Sequence, residues 1–325
     1  MQNAGELLHL KKLNAMKKLS FSDKEFICQQ NFDKYGPFWH IATPGTSTEI
    51  LFTNADEYRF GMTLMAESLY CCDLTAYAFT LMSNHIHVIA GASSSRKCID
   101  FLEHFKSRLS RFAQGKGRNL DLDDFVNEPI PINGLQYLRN NLVYVDRNAY
   151  VINSAQTPHS HPWGTAFLYF GYSIGIIPSQ QLSDLSLREK RQLTHSRSCV
   201  LPDSCTIRNG FVAPESIVDW RTGRSFFRDA HQYFNMLTKN REAYAEFAKI
   251  YGDKIVLTDE EMYSAAMAIA NKDYQVSTFG DLTDSQRVAT AKKMHFDYNA
   301  SNAQLYRILK VDKALLQELF PEAKQ

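Results

Sequence analysis

The sequence has no long hydrophobic run, no paired-cysteine motif and almost no net charge, and each absence excludes a class of protein. No apolar stretch reaches the roughly 18–20 residues that a membrane-spanning helix needs, and the first residues lack the apolar core of a signal peptide. The six cysteines form no C-x-x-C pair, which argues against a zinc ribbon and favours free thiols. The sequence therefore predicts a cytoplasmic protein without a membrane partner.

The composition is that of a globular chain with room for two domains. The 325 residues are 44% hydrophobic and 22% charged, which is typical of chains that fold around a core. The formal net charge is only +1. A nucleic-acid partner would therefore be attracted by local basic patches, because the total charge does not provide the attraction.

Residues 1–175 alternate between strand-like and helix-like segments, which predicts an α+β domain. The turn residues Ser83 and Asn84 separate two apolar runs, so we expect a hairpin there. The predicted elements are a strand at 37–44, a helix after the N-cap residue Asn54, hairpin strands at 74–82 and 85–92, and helices at 95–117 and 133–147.

Residues 176–325 have a different hydrophobic pattern, and we expect an all-α region there. Polar connections separate helical stretches, and strand patterns fade. The segment 281–320 predicts three short helices, one beginning at a capping box of Ser301 and Gln304 and the next at Asp312. The last two helices have the lengths of a helix-turn-helix motif. A purely structural helical cap is the alternative.

The stretch "TLMSNHIHVIAG" (80–91) places two histidines in an otherwise apolar run. In a strand, His85 and His87 would project from the same face and form half of a site for a divalent ion. Core histidines are the alternative, and ten histidines give about 0.3 H-x-H occurrences by chance. The chain also contains His159 and His161, which lie in a proline-bracketed loop and are predicted to be structural.

Four segments, in this order, resemble the single-tyrosine HUH transposases, and especially the REP-associated tyrosine transposases. "LMSNHIHVIAG" is similar to the family's "MPNHxH" strand, and "FLEHFKSRLSRF" to the helix that follows it. "LQYLRNNLVYV" resembles the tyrosine helix, often written Y-I-H-x-N-P-V, and "HPWGTA" resembles a Pro-Trp-Ser-Ser segment. The family fold is a ferredoxin-like or RRM-like antiparallel sheet with helices on one face.

The resemblance implies a metal-dependent reaction on single-stranded DNA. His85 and His87 would be ligands of Mg²⁺ or Mn²⁺, Tyr137 the nucleophile, and Asn141 a third, polar ligand. Tyr137 and Asn141 are four residues apart and share a helix face. The tyrosine would attack a phosphodiester and form a 5′-phosphotyrosine, which a second strand then resolves. The expected substrate is the hairpin-forming end of a mobile element.

The tyrosine helix departs from the family pattern at two positions. Arg139 replaces the family's histidine, and Leu142 replaces its proline. Tyr144, with Asn148 four residues further on, has the same spacing and is an internal rival to Tyr137. The family includes monomers and dimers, so a homodimer is one of the assemblies the resemblance allows.

The helix predicted at 95–117, with the residue that follows it, is strongly basic. Residues 96–118 contain seven cations and two acids, a stripe that could neutralise several phosphates. A solvated helix face is the alternative. The residues we expect to contact DNA are Lys106, Arg108, Arg111, Lys116 and Arg118.

The sequence thus favours a DNA transposase and leaves two alternatives. One is a DNA-binding regulator that keeps the fold and has lost catalysis, as the changes at Arg139 and Leu142 suggest. The other is a histidine-metal hydrolase of small molecules, which predicts a closed pocket and no basic stripe. The sequence does not identify the target DNA.

Overall fold

The computed structural model describes residues 19–44, 49–152, 161–170, 178–239, 259–298 and 300–321. The first helix, α1 (Phe21–Tyr35), begins at Ser20, whose side chain accepts a hydrogen bond from the Asp23 amide. This contact satisfies one of the amide groups that a helix start leaves without an intrahelical acceptor.

The centre of the structure is a four-stranded antiparallel sheet with the strand order β2-β3-β1-β4. Its strands are β1 (Phe38–Ala42), β2 (Thr75–Leu81), β3 (Ile86–Gly91) and β4 (Ile130–Ile132). The predicted hairpin is confirmed, since Leu81 pairs with Ile86 across the turn at Ser83 and Asn84. Strand β4 falls in a segment that reads as a loop because it contains Pro131. Its edge position tolerates a residue without an amide hydrogen.

Two helices connect the strands and lie on one face of this sheet. They are α2 (Ala55–Cys71), between β1 and β2, and α3 (Ser95–Gly115), between β3 and β4. The predicted N-cap of α2 is confirmed, because the Asn54 side chain accepts from the amides of Asp56 and Glu57. The α2 backbone at Gly61 lies against Leu81, and Phe60 of α2 stacks on Phe112 of α3 with ring centroids 3.8 Å apart.

A further helix, α4 (Leu135–Ile152), covers the opposite face. Its Tyr144 ring lies 5.4 Å from the ring of His87. His87 pairs with Thr80, whereas Leu81 points to the α2 side. The sheet is therefore covered on both faces, which goes beyond the single helical layer we expected. Both β2 and β3 are buried almost throughout, as strands between two layers must be.

The apolar core of the sheet continues into residues 178–239. Phe226, Phe227 and Tyr233 belong to the same buried cluster as the sheet and α4. The boundary predicted at residue 175 therefore does not divide the core. This part contains β5 (Gln180–Gln181), α5 (Leu187–Thr194), β6 (Thr206–Arg208), β7 (Phe211–Val212), α6 (Trp220–Ser225) and α7 (Ala230–Lys239).

The prediction of an all-α region after residue 176 is wrong for this part of the chain. Strands β5, β6 and β7 form a small antiparallel sheet. Each has only two or three residues. So few residues cannot display the alternating pattern by which strands are recognised in a sequence.

Helices α8 (Asp259–Tyr274), α9 (Asp284–Tyr298), α10 (Asn302–Leu309) and α11 (Lys313–Leu319) surround a second core. The three helices predicted over 281–320 are confirmed as α9, α10 and α11. The capping box of Ser301 and Gln304 and the N-cap at Asp312 are also confirmed. Met82, from the β2–β3 hairpin, is buried in this second core, so the C-terminal helices pack against the turn that precedes His85.

Short 3₁₀ turns complete the described structure, at Asp123–Phe125, Ala166–Leu168, Leu182–Asp184, Pro214–Ser216 and Phe279–Asp281. Within the described ranges, no helix combines the length and the apolar character needed to cross a membrane.

Candidate functional site

The histidine pair lies side by side beneath α4, as its spacing predicts. His87 is in β3, paired with Ala42 of β1 and Thr80 of β2, and His85 immediately precedes β3. Their ring centroids are 4.9 Å apart, and both side chains are completely buried. The rigid pairing of β3 on both edges fixes the backbone on which the two imidazoles stand.

A third histidine, His40, links this pair to α4. His40 Nδ1 is 2.7 Å from Asn141 Oδ1, and His40 Nε2 is 3.0 Å from His87 Nδ1. Asn141 Nδ2 donates to the Tyr137 carbonyl at 2.8 Å. The amide nitrogen is thereby identified, so the amide oxygen faces His40 and accepts. The chain of bonds therefore has a direction, from His87 to His40 to Asn141.

This direction determines which nitrogen of each ring carries the proton. His40 Nδ1 donates to Asn141, so His40 Nε2 accepts from His87 Nδ1, and the lone pair of a neutral His87 lies on Nε2. His85 Nδ1 lies 2.9 Å from Asn84 Oδ1, which only accepts, so its lone pair also lies on Nε2 in the neutral ring. Burial lowers the pKa of His87 to about 3, which keeps that ring neutral.

His40 was not among the sequence candidates, although a signal for it existed. It stands in the middle of a short aromatic strand, on the same strand face as the buried Phe38 and the partly buried Ala42. A polar residue at an inward position of such a strand needs a buried polar partner. The partners, His87 and Asn141, are 47 and 101 residues away in the sequence. They cannot be predicted from the pattern of β1 alone.

The two candidate tyrosines occupy different environments on α4. Tyr137 is half-buried and packs against the edge of the main core. Tyr144 is only 2% exposed, and its ring centroid lies 5.4 Å from that of His87 and 6.0 Å from that of His40. Asn148, one turn after Tyr144, is fully buried. Tyr144, the internal rival, is therefore in ring contact with both His40 and His87.

Asn141 lies one imidazole away from His87, on the same turn of α4 as the Tyr137 carbonyl it contacts. Its oxygen accepts from His40. The spacing of Tyr137 and Asn141 brings the amide to the histidine network, but its oxygen faces His40 and not the Nε2 atom of His87, so the role of Asn141 as a third metal ligand stays a prediction.

The two departures from the family pattern have structural roles. Arg139 is 1% exposed, its guanidinium pairs with Glu25 of α1 at 2.7 Å, and its Nε donates to the Phe226 carbonyl at 2.6 Å. Arg139 therefore ties α4 to α1 and to the chain before α7. Leu142 is fully buried in the main core.

Only one member of the second histidine pair, His161, lies in the described part of the chain. His161 donates from Nε2 to the Leu81 carbonyl at 3.1 Å, and burial lowers its pKa to about 4. This is the structural role predicted for it. His159 lies outside the described residues.

The basic residues of α3 and of the three residues that follow it fall into two groups. Arg108 pairs with Glu67 at 2.8 Å and also donates to the Thr194 carbonyl, and Arg118 pairs with Glu57 at 2.6 Å. Within the described part of the chain, no acidic side chain pairs with Lys106, Arg111 or Lys116. These last three are therefore the cations of the predicted DNA-binding set that keep their charge for an external anion.

The histidines form an incomplete donor set for a metal ion. Among the described residues, no group of three or more His, Cys, Asp and Glu side chains is placed to hold one. His40 does not provide the third nitrogen, because one of its nitrogens donates to Asn141 and the other accepts from His87. The two neutral imidazoles of His85 and His87 fit Mg²⁺ or Mn²⁺ only with water or substrate oxygens in the remaining positions.

Comparisons of the chain with protein-family models, with curated proteins and with solved structures find no match.

Proposed function

We propose that this chain is a metal-dependent DNA transposase of the single-tyrosine HUH type, which cleaves and rejoins single-stranded DNA. The observation that carries the proposal is the directional hydrogen-bond chain from His87 through His40 to Asn141. It joins the histidine strand to the helix that bears the tyrosines. It also turns the lone pair of His87 onto the nitrogen that is not engaged with His40.

The strand order supports this assignment. The elements β1, α2, β2, β3, α3 and β4 follow the βαββαβ sequence of a ferredoxin-like fold. Their spatial order, β2-β3-β1-β4, places the two central strands β1 and β3 side by side. His40 and His87 lie on these central strands, and α4 brings both tyrosines to the same face.

The metal would be held by the Nε2 atoms of His85 and His87, with oxygens of water or substrate in the remaining positions. A bound divalent ion polarises the scissile phosphate and stabilises charge on its oxygens. The protein itself orients the ligands, because His40 and Asn84 hold the Nδ1 hydrogens of the two rings. Such outer contacts fix the tautomer and the ring orientation of metal-binding histidines.

The chemical step exchanges one phosphodiester for another. The phenol oxygen of tyrosine bonds to phosphorus, the bond from phosphorus to the 3′ oxygen breaks, and the phenol proton is lost as the 3′ hydroxyl gains one. A phenol with a pKa near 10 needs assistance to ionise at neutral pH. The covalent link retains the energy of the original bond, so a second 3′ hydroxyl can reverse the step without ATP.

Two tyrosines compete for this role. The family resemblance favours Tyr137, and the ring contact with His87 favours Tyr144. The half-buried position of Tyr137 gives a DNA strand access to it, whereas Tyr144 is enclosed. We therefore assign the nucleophile to Tyr137 and a supporting role beneath the histidines to Tyr144.

The complete burial of His85 and His87 favours a second candidate function, that of a DNA-binding regulator without catalytic activity. A DNA-binding regulator on the same fold would keep the histidine network as part of the core and would have lost the open metal site. In such a protein the network stabilises the packing of α4 on the sheet, and the DNA contacts come from the basic residues of α3.

A covalent-trapping assay separates the two candidates. The full chain is incubated with Mn²⁺ and labelled single-stranded DNA from the ends flanking its own gene, beside Tyr137→Phe, Tyr144→Phe and His85→Ala. His104→Gln, a partly buried histidine of α3 on the other face, is the matched control. We expect a denaturation-resistant adduct in the wild type, the control and Tyr144→Phe, and none in Tyr137→Phe or His85→Ala.

Each other outcome has a definite meaning. An adduct that survives Tyr137→Phe and disappears in Tyr144→Phe moves the nucleophile to Tyr144. No adduct from any protein, together with tight binding of the same DNA, overturns the transposase and supports the regulator.

A further inference from the structure

A cleft lies where the second half of α3 meets α5, in the layer of helices opposite the histidine face. One part has a volume of about 410 Å³ and is lined by Phe60, Phe112, Arg108, Arg111, Lys116 and His195. A second part, of about 570 Å³, is lined by Leu187, Arg188, Arg191, Gln192 and again His195. His195 lines both parts, so the two depressions adjoin at this residue.

All charged side chains that line this cleft are basic. Arg108 is compensated by Glu67. Arg111, Lys116, Arg188 and Arg191 have no acidic partner within the described ranges. The cleft therefore gathers four uncompensated cations along its length, in a protein whose formal net charge is only +1. Such a concentration of charge of one sign attracts anions.

The floor of the first part is aromatic. Phe60 and Phe112 stack with an interplanar angle of 12°, and the His195 ring stands edge-on to both, with centroid distances of 5.3 and 4.9 Å. Lys116 Nζ lies 5.7 Å from the Phe112 centroid. His195 ends α5 in the left-handed conformation, with φ 48°, which holds its ring at the junction of the two parts. Partial burial, and after it the nearby charges of Lys116 and Arg108, lower the pKa of His195.

We propose that this cleft binds single-stranded nucleic acid, with phosphates on Arg111, Lys116, Arg188 and Arg191 and a base against Phe112 and His195. Cations that follow a groove, alternating with exposed aromatic rings, suit a flexible strand of regularly spaced phosphates. Two adjoining depressions, both lined by His195, suit a polymer better than a single small anion. Only the choice of DNA over RNA rests on the proposed function, because the cleft lies apart from the histidines.

The site would have a use in the proposed reaction. The cleft and the histidine centre are on opposite faces of the same sheet, so one strand does not contact both without passing around an edge of the sheet. The cleft would thus hold a segment of DNA away from the cleavage point. It would contribute to affinity and leave the chemical step to the residues beneath α4.

The test is a binding titration of the full chain with a fluorescent oligo-dT of about 12 nucleotides, a length within the usual range of such sites. EDTA is present and the His85→Ala background is used, so that metal-dependent chemistry plays no part. The variants are the double substitution Arg111→Gln with Lys116→Gln and the single substitution Phe112→Leu. The matched control, Arg96→Gln with Lys97→Gln, removes two charges from the first turn of the same helix, where both are already paired.

We expect the cleft double variant to weaken binding about tenfold and to reduce the slope of log affinity against log salt by about 1.4, the value for two phosphate contacts to a single strand. Phe112→Leu should weaken binding at least about fivefold, as the loss of one stacked base does. The control should stay within about twofold. Thermal melting of each variant checks that it is folded.

Equal losses in the control and the cleft variants would overturn the proposal, as would wild-type affinity in the double variant. A loss that is as large for a 20-base-pair duplex as for oligo-dT would overturn its preference for single strands. Failure of the transposase is distinguishable, because it appears as a missing adduct in the trapping assay while cleft-dependent binding persists.

Discussion

His87 Nδ1 donates a hydrogen bond to His40 Nε2 at 3.0 Å, and this bond determines where the lone pair of His87 points. The direction follows from Asn141, whose oxygen accepts from the other nitrogen of His40 at 2.7 Å. His40, which belongs to no recognised motif, therefore sets the tautomer of His87, which belongs to the H-x-H motif. Outer contacts of this kind commonly change metal affinity 10–100-fold.

The first prediction is that His40→Phe weakens Mn²⁺ binding about 10–100-fold. Phenylalanine keeps the volume of the ring but cannot accept from His87, so the tautomer of His87 is no longer fixed. Isothermal titration with Mn²⁺ measures the change. His40→Gln is the matched control, because glutamine both accepts and donates and retains most of the chain of bonds. Wild-type affinity in His40→Phe would show that the network does not orient a metal ligand.

The second prediction concerns Arg139, which occupies a position where the resembling family has a histidine. We expect Arg139→Met to lower the free energy of unfolding by about 3 kcal/mol, because it removes a buried charge partner and the donor to the Phe226 carbonyl. Urea unfolding measures this. Arg96→Met, whose ion pair with Asp100 is exposed, should change stability by less than about 1 kcal/mol.

Arg139 also discriminates between a structural and a chemical role. If it only ties α4 to α1, the yield of covalent adduct per folded molecule is unchanged in Arg139→Met. A folded variant of wild-type stability that forms no adduct would contradict the structural assignment.

The third prediction tests the contact between the C-terminal helices and the histidine hairpin. Met82 is 1% exposed and belongs to the core around α8–α11. We expect Met82→Ala to cost about 2–5 kcal/mol, as other buried methionine truncations do. Met82→Leu, which conserves the volume, should cost less than about 1.5 kcal/mol. Hydrogen exchange should show reduced protection in β2, β3 and the C-terminal helices together.

The sequence predicted the features that depend on neighbouring residues. The β2–β3 hairpin and the helix starts at Asn54, Ser301 and Asp312 follow from turn and capping chemistry within a few residues. The side-by-side placement of His85 and His87 follows from the period of a strand.

The features that the sequence did not reveal depend on distant partners. His40 and His87 are 47 residues apart, and Arg139 and Glu25 are 114 apart. No local sequence pattern distinguishes Arg108 or Arg118 from the other basic residues of the segment 96–118. Only the fold places Glu67 and Glu57 beside them. Tertiary contact, rather than local pattern, decides which of these cations pair with a carboxylate.

The last prediction uses Asp146, a fully enclosed carboxyl on α4 whose oxygen accepts from the Tyr233 hydroxyl at 2.8 Å. Burial raises the pKa of Asp146 to about 7, while an unfolded aspartate titrates near pH 4. Between these values the folded protein holds a proton that the unfolded chain has released. The contribution of Asp146 to the free energy of unfolding therefore falls as the pH rises from about 4 to about 7, and is constant above that.

Asp146→Asn removes this titration. We expect the difference in unfolding free energy, variant minus wild type, to rise by on the order of 2–3 kcal/mol between pH 5 and pH 7.5, since each pKa unit corresponds to about 1.4 kcal/mol. His87 and His161 have lowered pKa values, so their contribution to the free energy of unfolding rises with pH. They titrate in both proteins, so their contribution cancels in the difference. Urea unfolding at four or five pH values measures it. A difference that stays constant with pH would mean that Asp146 is already ionised in the folded protein at pH 5.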